Sequence, residues 1–134
     1  MAVFCCRQKQ RYNVLIQARK LVPGISNYST SEQNTGFKWK DGKTIYKKTI
    51  DFGALPNTTN KAANLNISNL GTIIDSEAFC VYPNGINFPL PFTNTNDFAS
   101  SVMLNFTATQ VVITTGSDRS GATGYVTIYY TKTN

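Results

Sequence analysis

The residues best suited to ligand chemistry are concentrated between residues 36 and 57, in the sequence GFKWKDGKTIYKKTIDFGALPN. Lys40 and Lys43 flank the dipeptide Asp41-Gly42, and Trp39 precedes them. Ammonium groups could bind an anion, such as a phosphate-bearing or acidic glycan of a cell wall, and an indole ring could stack on a sugar. These three side chains are therefore candidate ligand-binding residues. The competing interpretation is a solvated, charged edge that discourages aggregation, a protection that edge strands commonly need.

Polar loops are the other candidate binding elements. Sugars are bound by aromatic rings that stack on their C–H faces and by polar groups that hydrogen-bond their hydroxyls, and loops on a rigid scaffold usually supply such groups. Loops 82–87, 94–97 and 117–120 contain these residue types, and the candidate ligand-binding residues in them are Tyr82, Asn84, Asn87, Asp118 and Arg119. The alternative is that each loop is an ordinary polar turn. Asp118 and Arg119 would then pair with each other or bind backbone groups.

The chain contains few of the residues that enzymatic catalysis commonly uses. The chain has no histidine, which excludes Ser-His-Asp and Cys-His arrangements and imidazole metal ligands. Its three cysteines show no CxxC spacing, so we predict neither a metal site nor a disulfide scaffold, and Cys80 is predicted to be a small buried hydrophobe. A glycosidase needs two facing carboxylates, for which Asp75 and Glu77 are one weak candidate pair. We predict no catalytic residue, no cofactor and no enzymatic activity, with a carbohydrate-active enzyme as the weaker alternative.

The lysine-rich stretch also predicts a β-hairpin. Asp-Gly is a preferred turn between two strands because both residues tolerate positive φ angles. A two-residue turn at Asp41-Gly42 places Lys40 opposite Lys43 and Trp39 opposite Thr44. One face of the hairpin is then predicted to meet the core, with the residues Phe37, Trp39, Thr44, Tyr46, Ile50 and Phe52. The other face carries lysines and is predicted to meet water or an anion.

Alternating apolar residues predict strands along the rest of the chain, with turn signals between them. The last third is the most strand-like and contains the segments Val102 to Phe106, Thr109 to Thr115 and Gly124 to Lys132. Thr58 to Ala63 is predicted to be a polar loop. The other extended segments are Asn64 to Leu70, Thr72 to Ile74, Ala78 to Tyr82, and Ile86 to Phe92, whose prolines restrict it to a sheet edge or to non-strand extended chain.

Both faces of the last two strands carry apolar side chains, which a sheet with one solvated face would not show. In the final strand Tyr125 and Tyr129 alternate with Val126 and Ile128. One face is therefore predicted to meet a second sheet, and the other a neighbouring subunit or a covering loop. About eight short strands at this spacing favour an all-β fold, an antiparallel β-sandwich or jelly-roll-like domain. It is predicted to occupy residues 28–134, after an attachment or oligomerisation segment over residues 1–27.

Composition narrows the range of partners. Charged residues are only 15% of the chain, and most of the net charge of +6 comes from residues 7–20 and from the hairpin. No recognition helix or RNA-binding motif accompanies these charges, so we predict no nucleic-acid partner. No segment approaches the ~20 apolar residues of a membrane-spanning helix, and the apolar start is too short for a secretory signal. We expect no membrane insertion. If the protein works outside a cell, it is expected to leave by another route, of which the release of assembled virus particles on lysis is one.

Two stretches resemble a module found at the ends of bacteriophage and prophage tail and fibre proteins. The first, residues 28–57, reads YSTSEQNTGFKWKDGKTIYKKTIDFGALPN and is similar to that module's pattern of Tyr-Ser-Thr, a Trp before Asp-Gly-Lys, Ile-Tyr and Gly-x-Leu-Pro-Asn. The second, residues 113–133, reads ITTGSDRSGATGYVTIYYTKT and is similar to its closing Gly-x-Asp-Arg-Ser and Tyr-Thr-Lys segments. With the apolar residues between them, the resemblance covers roughly residues 28–134.

The resemblance implies a virion protein on a phage tail, fibre or other surface appendage, acting as a receptor-binding protein in host adhesion. Its implied partners are other copies of itself in a homotrimer, other virion proteins and host cell-surface carbohydrate. Trimerisation would strengthen weak sugar binding, because linked sites gain about 10² to 10⁴ in affinity without new contacts. The alternative function is a purely structural virion protein that serves as a cap, decoration or trimerisation unit.

Overall fold

Antiparallel strands dominate residues 28–133, the part of the chain that the computed structural model describes. Predictions for residues 1–27, including the attachment segment, lie outside the described residues. A short 3-10 turn, Phe98–Ser100, precedes the sixth strand. The strands in chain order are β1 Gln33–Lys38, β2 Thr44–Ala54, β3 Asn60–Asn64, β4 Leu70–Val81, β5 Asn87–Leu90, β6 Val102–Phe106, β7 Gln110–Thr115 and β8 Thr123–Lys132.

The strands form two sheets, which confirms the predicted antiparallel β-sandwich. The large sheet has five strands in the order β1-β2-β8-β4-β5, and the small sheet has three in the order β3-β7-β6. One side of the sandwich is linked by backbone bonds between Phe92, after β5, and Val102, at the start of β6, with N···O distances of 3.0 and 2.8 Å. The proline-containing segment Ile86 to Phe92 holds β5, which lies at an edge of the large sheet as predicted.

The core lies between the two sheets and centres on β8. Val126, Ile128 and Tyr130 alternate along this strand and are fully buried, as are Val111 and Ile113 of β7. The other buried apolar residues are Ile50, Phe52, Leu55, Leu65, Cys80, Leu90, Val102 and Ala122, so the predicted burial of Cys80 is confirmed. Because side chains alternate between the two faces of a strand, the odd-numbered residues of β8 point away from the small sheet.

The hairpin between β1 and β2 forms, but the predicted two-residue turn is wrong. The N–H of Trp39 donates to the carbonyl of Lys43 at 2.8 Å, and the N–H of Gly42 donates to the carbonyl of Trp39 at 2.9 Å. Residues 40–42 are therefore a three-residue loop, with Gly42 at φ 86° in the left-handed region that this loop type requires. Lys38 consequently lies opposite Thr44, so Lys40 and Lys43 are not a cross-strand pair.

A bulge in β1 changes which hairpin side chains meet the core. Asn34 lies opposite Tyr46 and Lys38 opposite Thr44, so β1 uses more residues than β2 over the same length. Phe37 is 38% exposed, which makes its predicted core position wrong. Trp39 is half-buried and is not among the side chains packed on the core. The predicted core positions farther along β2 are confirmed for Tyr46, Ile50 and Phe52.

Three predictions for the middle of the chain need correction. The predicted polar loop Thr58 to Ala63 contains most of β3. The Lys-Ala sequence of β3 does not predict a strand, and its backbone is held in one by pairing with β7. The predicted strand Asn64 to Leu70 is largely a connection in which Asn66 and Asn69 have positive φ angles. The two strands predicted on either side of residues 75–77 are one strand, β4, with bulges near Ile73.

The loop after β7 closely approaches the segment before β6 at Gly116, and a substitution at this position tests that approach. A Cβ at this position would lie 2.3 Å from the carbonyl oxygen of Ala99, a backbone atom that cannot move aside easily. We expect Gly116→Ala to lower the free energy of unfolding by about 1–3 kcal/mol in urea denaturation. Gly121→Ala is the control, because its nearest neighbours are carbons of the Tyr82 ring at 3.7 Å. Equal losses for both variants would contradict this close approach.

Candidate functional site

Strand direction places the predicted site residues at two opposite ends of the sandwich. The start of β2 and the end of β8 meet at Tyr46 and Tyr130, while the end of β2 meets the start of β8 at Ala54 and Thr123. The hairpin with Trp39, Lys40 and Lys43 is therefore at one end, called the hairpin end. The loops with Tyr82, Asn84, Asn87, Asp118 and Arg119 are at the other, called the loop end. At about 3.4 Å per residue the ends are roughly 25 Å apart, so these residues do not form one site.

At the loop end, Arg119 holds several chain segments together. Its Nη1 donates to the hydroxyl of Tyr82 at 3.3 Å, and its Nη2 donates to the carbonyl of Ser100. The guanidinium carbon lies 5.8 Å from the ring centre of Phe88, and the backbone N–H of Arg119 donates to the carbonyl of Pro56 at 3.2 Å. Its Nε is buried and has no hydrogen-bond partner within the described residues. The side chain is thus an anchor between loops.

The neighbouring loop residues form ordinary turns. Asp118 accepts hydrogen bonds from the side chain of Ser120 at 2.6 Å and from its backbone N–H at 2.9 Å, and these bonds hold the pKa of Asp118 below its usual value. Asp118 and Arg119 therefore do not pair with each other. Asp118 binds Ser120, and Arg119 binds Tyr82 and the carbonyl of Ser100. Asn84 accepts from the N–H of Ile86 at 3.1 Å within a turn, and Asn87 is exposed at the start of β5.

At the hairpin end, the lysine tip comprises Lys38, Trp39, Lys40 and Lys43. All three lysines are exposed, and Nζ of Lys40 lies 5.6 Å from the ring centre of Trp39. Nζ of Lys38 donates to the hydroxyl of Thr44 at 2.7 Å. None of these ammonium groups forms an ion pair with a carboxylate of residues 28–133, where the pair Glu32–Lys132 is the one present. The tip is therefore a concentration of unneutralised positive charge.

The pair Glu32–Lys132 ties the segment before β1 to the end of β8. The carboxylate accepts from Nζ of Lys132 at 2.6 Å and from the hydroxyl of Tyr130 at 2.5 Å. Burial raises the pKa of Glu32, but the two hydrogen bonds together with the positive charges of Lys132 and Lys48 leave the pKa below its usual value. Burial and the bond to Glu32 raise the pKa of Tyr130. The Tyr130 ring stacks on Tyr46, with centroids 6.0 Å apart, so this cluster has a structural role.

The outer face of the large sheet is the face turned away from the small sheet. It carries aromatic residues that were not among the predicted ligand-binding residues. Phe79 of β4 lies opposite Tyr125 of β8, and their ring centroids are 5.3 Å apart. Tyr28, from the segment before β1, meets Phe79 edge to face at 6.3 Å. We call Tyr28, Phe79 and Tyr125 the aromatic row. The available signal was Tyr125 and Tyr129 beside the apolar residues of the final strand, but only the strand order shows that the Tyr125 ring meets Phe79.

Carboxylates lie beside the aromatic row on the same face. Asp51 of β2 is opposite Tyr125, and Asp75 of β4 is opposite Tyr129. Burial raises the pKa of Tyr129, and the nearby carboxylates of Glu77 and Asp75 raise it further. Asp51, Asp75 and Glu77 are all exposed. The outer face thus combines flat apolar rings with hydrogen-bond acceptors on neighbouring strands.

Comparisons of the chain with family models, with curated proteins and with solved structures each gave no match. Within residues 28–133, no helix has the length and apolar character needed to cross a membrane. In the same residues, no three histidine, cysteine or acidic side chains come together in a way that could hold a metal ion. The resemblance to phage tail and fibre modules therefore stays a prediction.

Replacing Arg119 distinguishes a loop anchor from a ligand-binding residue. We expect Arg119→Ala to lower the free energy of unfolding by about 1–3 kcal/mol, because partner groups in the loop end lose their hydrogen bonds. Arg119→Lys should not restore stability, since one ammonium group cannot reproduce the forked geometry. Lys40→Ala is the matched surface control and should change stability by less than about 0.5 kcal/mol in urea denaturation. Wild-type stability of Arg119→Ala would show that the contacts of Arg119 do not anchor the loops.

Proposed function

We propose that this chain is a non-catalytic receptor-binding protein of a phage tail, fibre or other virion appendage, and that it recognises glycan on the host surface. The virion assignment rests on the resemblance of residues 28–57 and 113–133 to tail and fibre modules. The glycan assignment rests on the outer face of the large sheet. A rigid sandwich that presents a flat face is suited to binding without catalysis, because recognition needs fixed side chains and no moving parts.

The aromatic row is the observation that carries the glycan assignment. The rings of Phe79 and Tyr125, with centroids 5.3 Å apart and planes inclined by 31°, can support the C–H face of a sugar unit. The Tyr28 ring borders them edge to face at 6.3 Å. Asp51 flanks the Tyr125 ring on one side, and Glu77 lies two residues from Phe79 on the same strand face. Their oxygens can accept hydrogen bonds from sugar hydroxyls beside the stacked ring. The combination matches the apolar and polar faces of a carbohydrate.

The placement of Asp75 and Glu77 supports a non-catalytic function. Glycosidases hold their two carboxyl groups on opposite sides of the scissile bond, about 5–9.5 Å apart. Residues two apart on a strand point the same way, so these carboxylates lie side by side on an exposed sheet face. A sugar bound there would meet both groups from one side. This arrangement suits hydrogen bonding better than bond cleavage.

Removing one ring of the aromatic row tests the glycan assignment. We expect Tyr125→Ala to weaken binding of the full chain to host cells or to a glycan array by about 2- to 10-fold, the worth of one aromatic contact. Tyr125→Phe should retain binding, and binding of the wild type to uncharged glycans should persist at high salt because stacking is not electrostatic.

The matched control for this experiment is Phe98→Ala. Phe98 is a 72% exposed aromatic residue in the 3-10 turn, away from the outer face. The Phe98→Ala variant should leave glycan binding unchanged. Wild-type binding by a folded Tyr125→Ala variant, or an equal loss with Phe98→Ala, would contradict a binding role for the aromatic row.

A purely structural virion function is the second candidate, and the outer side of the small sheet favours it. This surface, the uncharged face, carries no charged side chain and consists of Asn60, Ala62, Asn64, Met103, Asn105, Gln110, Val112 and Thr114. Met103 on it is 64% exposed. The cores of protein interfaces are depleted in charge and enriched in Met. The uncharged face is therefore the surface on which we place the contact between subunits of the proposed homotrimer.

Light scattering tests the proposed trimer. We expect the full chain to have three times its monomer mass of 14.8 kDa, and Ala62→Lys to dissociate it, because the change places a charge in the middle of the uncharged face. Asn96→Lys adds the same charge in an exposed loop and should leave the mass unchanged. A monomeric wild-type chain would contradict trimerisation and leave the glycan assignment to its own test.

A further inference from the structure

The loop of the lysine tip, residues 40–42, lies beyond the last pairs of the large sheet at the hairpin end, where β8 pairs with β4 up to Lys132 opposite Leu70. The pairing of β2 with β8 begins at Tyr46, whereas the residues before it pair within the hairpin, from Lys38 opposite Thr44 to the turn bonds between Trp39 and Lys43. The loop is therefore the outermost part of the β1–β2 hairpin at this end of the sheet. A partner could contact it without touching the outer face or the loop end.

The charges of the tip are not balanced within it. Lys38 ends β1, Lys40 lies in the loop and Lys43 directly precedes β2, and like charges so close together repel. Asp41 is the acidic residue of the loop, and its carboxylate accepts a hydrogen bond from the backbone N–H of Lys43 at 3.0 Å. An anion that contacts several ammonium groups at once would relieve the repulsion. Lysine binds phosphate well as a point charge.

The arrangement of the three lysines fits a chain of phosphates better than a single one. Lys38 ends β1, Lys40 begins the three-residue loop and Lys43 directly follows it, so the three ammonium groups come from separate positions of the tip and can contact successive charges of a flexible linear polymer. The ring of Trp39 lies beside them and is half-buried, with the Lys40 ammonium 5.6 Å from its centre. A polyol or sugar unit between two phosphates would meet this ring.

We propose that the lysine tip binds a phosphodiester-linked polyol or glycan polymer, through ammonium–phosphate contacts that are independent of the aromatic row. The inference rests on the proposed function in one respect only, that the polymer is displayed by a host surface. It adds a second site with different chemistry. Binding at the tip falls with salt, whereas binding at the aromatic row does not.

The test measures binding of the full chain to synthetic poly(glycerol phosphate) and to uncharged polyglycerol of equal length, by calorimetry at two salt concentrations. We expect binding to the phosphate polymer alone. Lys40→Gln with Lys43→Gln should weaken it about 25-fold, since one ammonium–phosphate contact at about 4 Å in water is worth about fivefold. Lys40→Arg with Lys43→Arg should retain binding, because the charges remain.

Two further variants make the result specific. Thr95→Asp with Asn96→Asp lowers the net charge by the same amount in an exposed loop outside the lysine tip, and it should leave affinity within about twofold because distant exposed charges are screened. Tyr125→Ala should also leave phosphate-polymer binding unchanged, which separates failure of this inference from failure of the glycan assignment.

Several outcomes would overturn the inference. One is an equal loss of affinity in the control of matched charge, which would show a response to net charge alone. Another is full binding by the double glutamine variant, as expected if the basic residues between positions 7 and 20 bound the polymer instead. A third is tighter binding to phosphatidylglycerol vesicles than to the polymer, which would indicate a lipid surface.

Discussion

Burial of β8 on both of its faces is the constraint on which the rest of the structure depends. Val126, Ile128 and Tyr130 face the small sheet, while Thr127 and Thr131 on the opposite face are also buried. The hydroxyls of Thr127 and Thr49 lie 2.8 Å apart and satisfy each other across the strand pair. Because β8 pairs with both β2 and β4, the β1–β2 hairpin and edge strand β5 are attached to the sandwich through it. Its odd-numbered tyrosines are then the β8 rings that can reach the outer surface.

This arrangement divides the molecule into surfaces of different chemistry. The outer face offers aromatic rings beside carboxylates, the lysine tip offers positive charge, and the small sheet offers an uncharged face. The ligand-binding residues predicted from the sequence lie at two opposite ends of the sandwich and do not line a shared pocket. Asp41-Gly42 shapes the hairpin loop, and Arg119 fastens the loop end. The proposed functions use these surfaces separately, for a host polymer, a sugar and further copies of the chain.

The sequence predicts the last third of the fold well, because Val102 to Phe106 and the two strands after it are rich in β-branched and aromatic residues and lie between turn signals. Prediction from the sequence fails where loop geometry or pairing with a distant strand determines the structure. One extra loop residue at the hairpin shifts the register, and the Lys-Ala sequence of β3 becomes a strand only through pairing with β7. The candidate site shows the same limit. Arg119 contacts residues 19 and 37 positions away, and the aromatic row joins residues from separate strands. Neither arrangement follows from local spacing.

We propose that the outer face of the large sheet binds host glycan without cleaving it. An NMR titration of the full chain with glycan fragments released from the host cell wall tests this most directly. The account predicts shifts concentrated on Phe79, Tyr125 and the strand positions opposite them, with the fragments recovered intact. Shifts confined to the loop end around Tyr82 and Arg119, or the appearance of shortened sugar products, would contradict it.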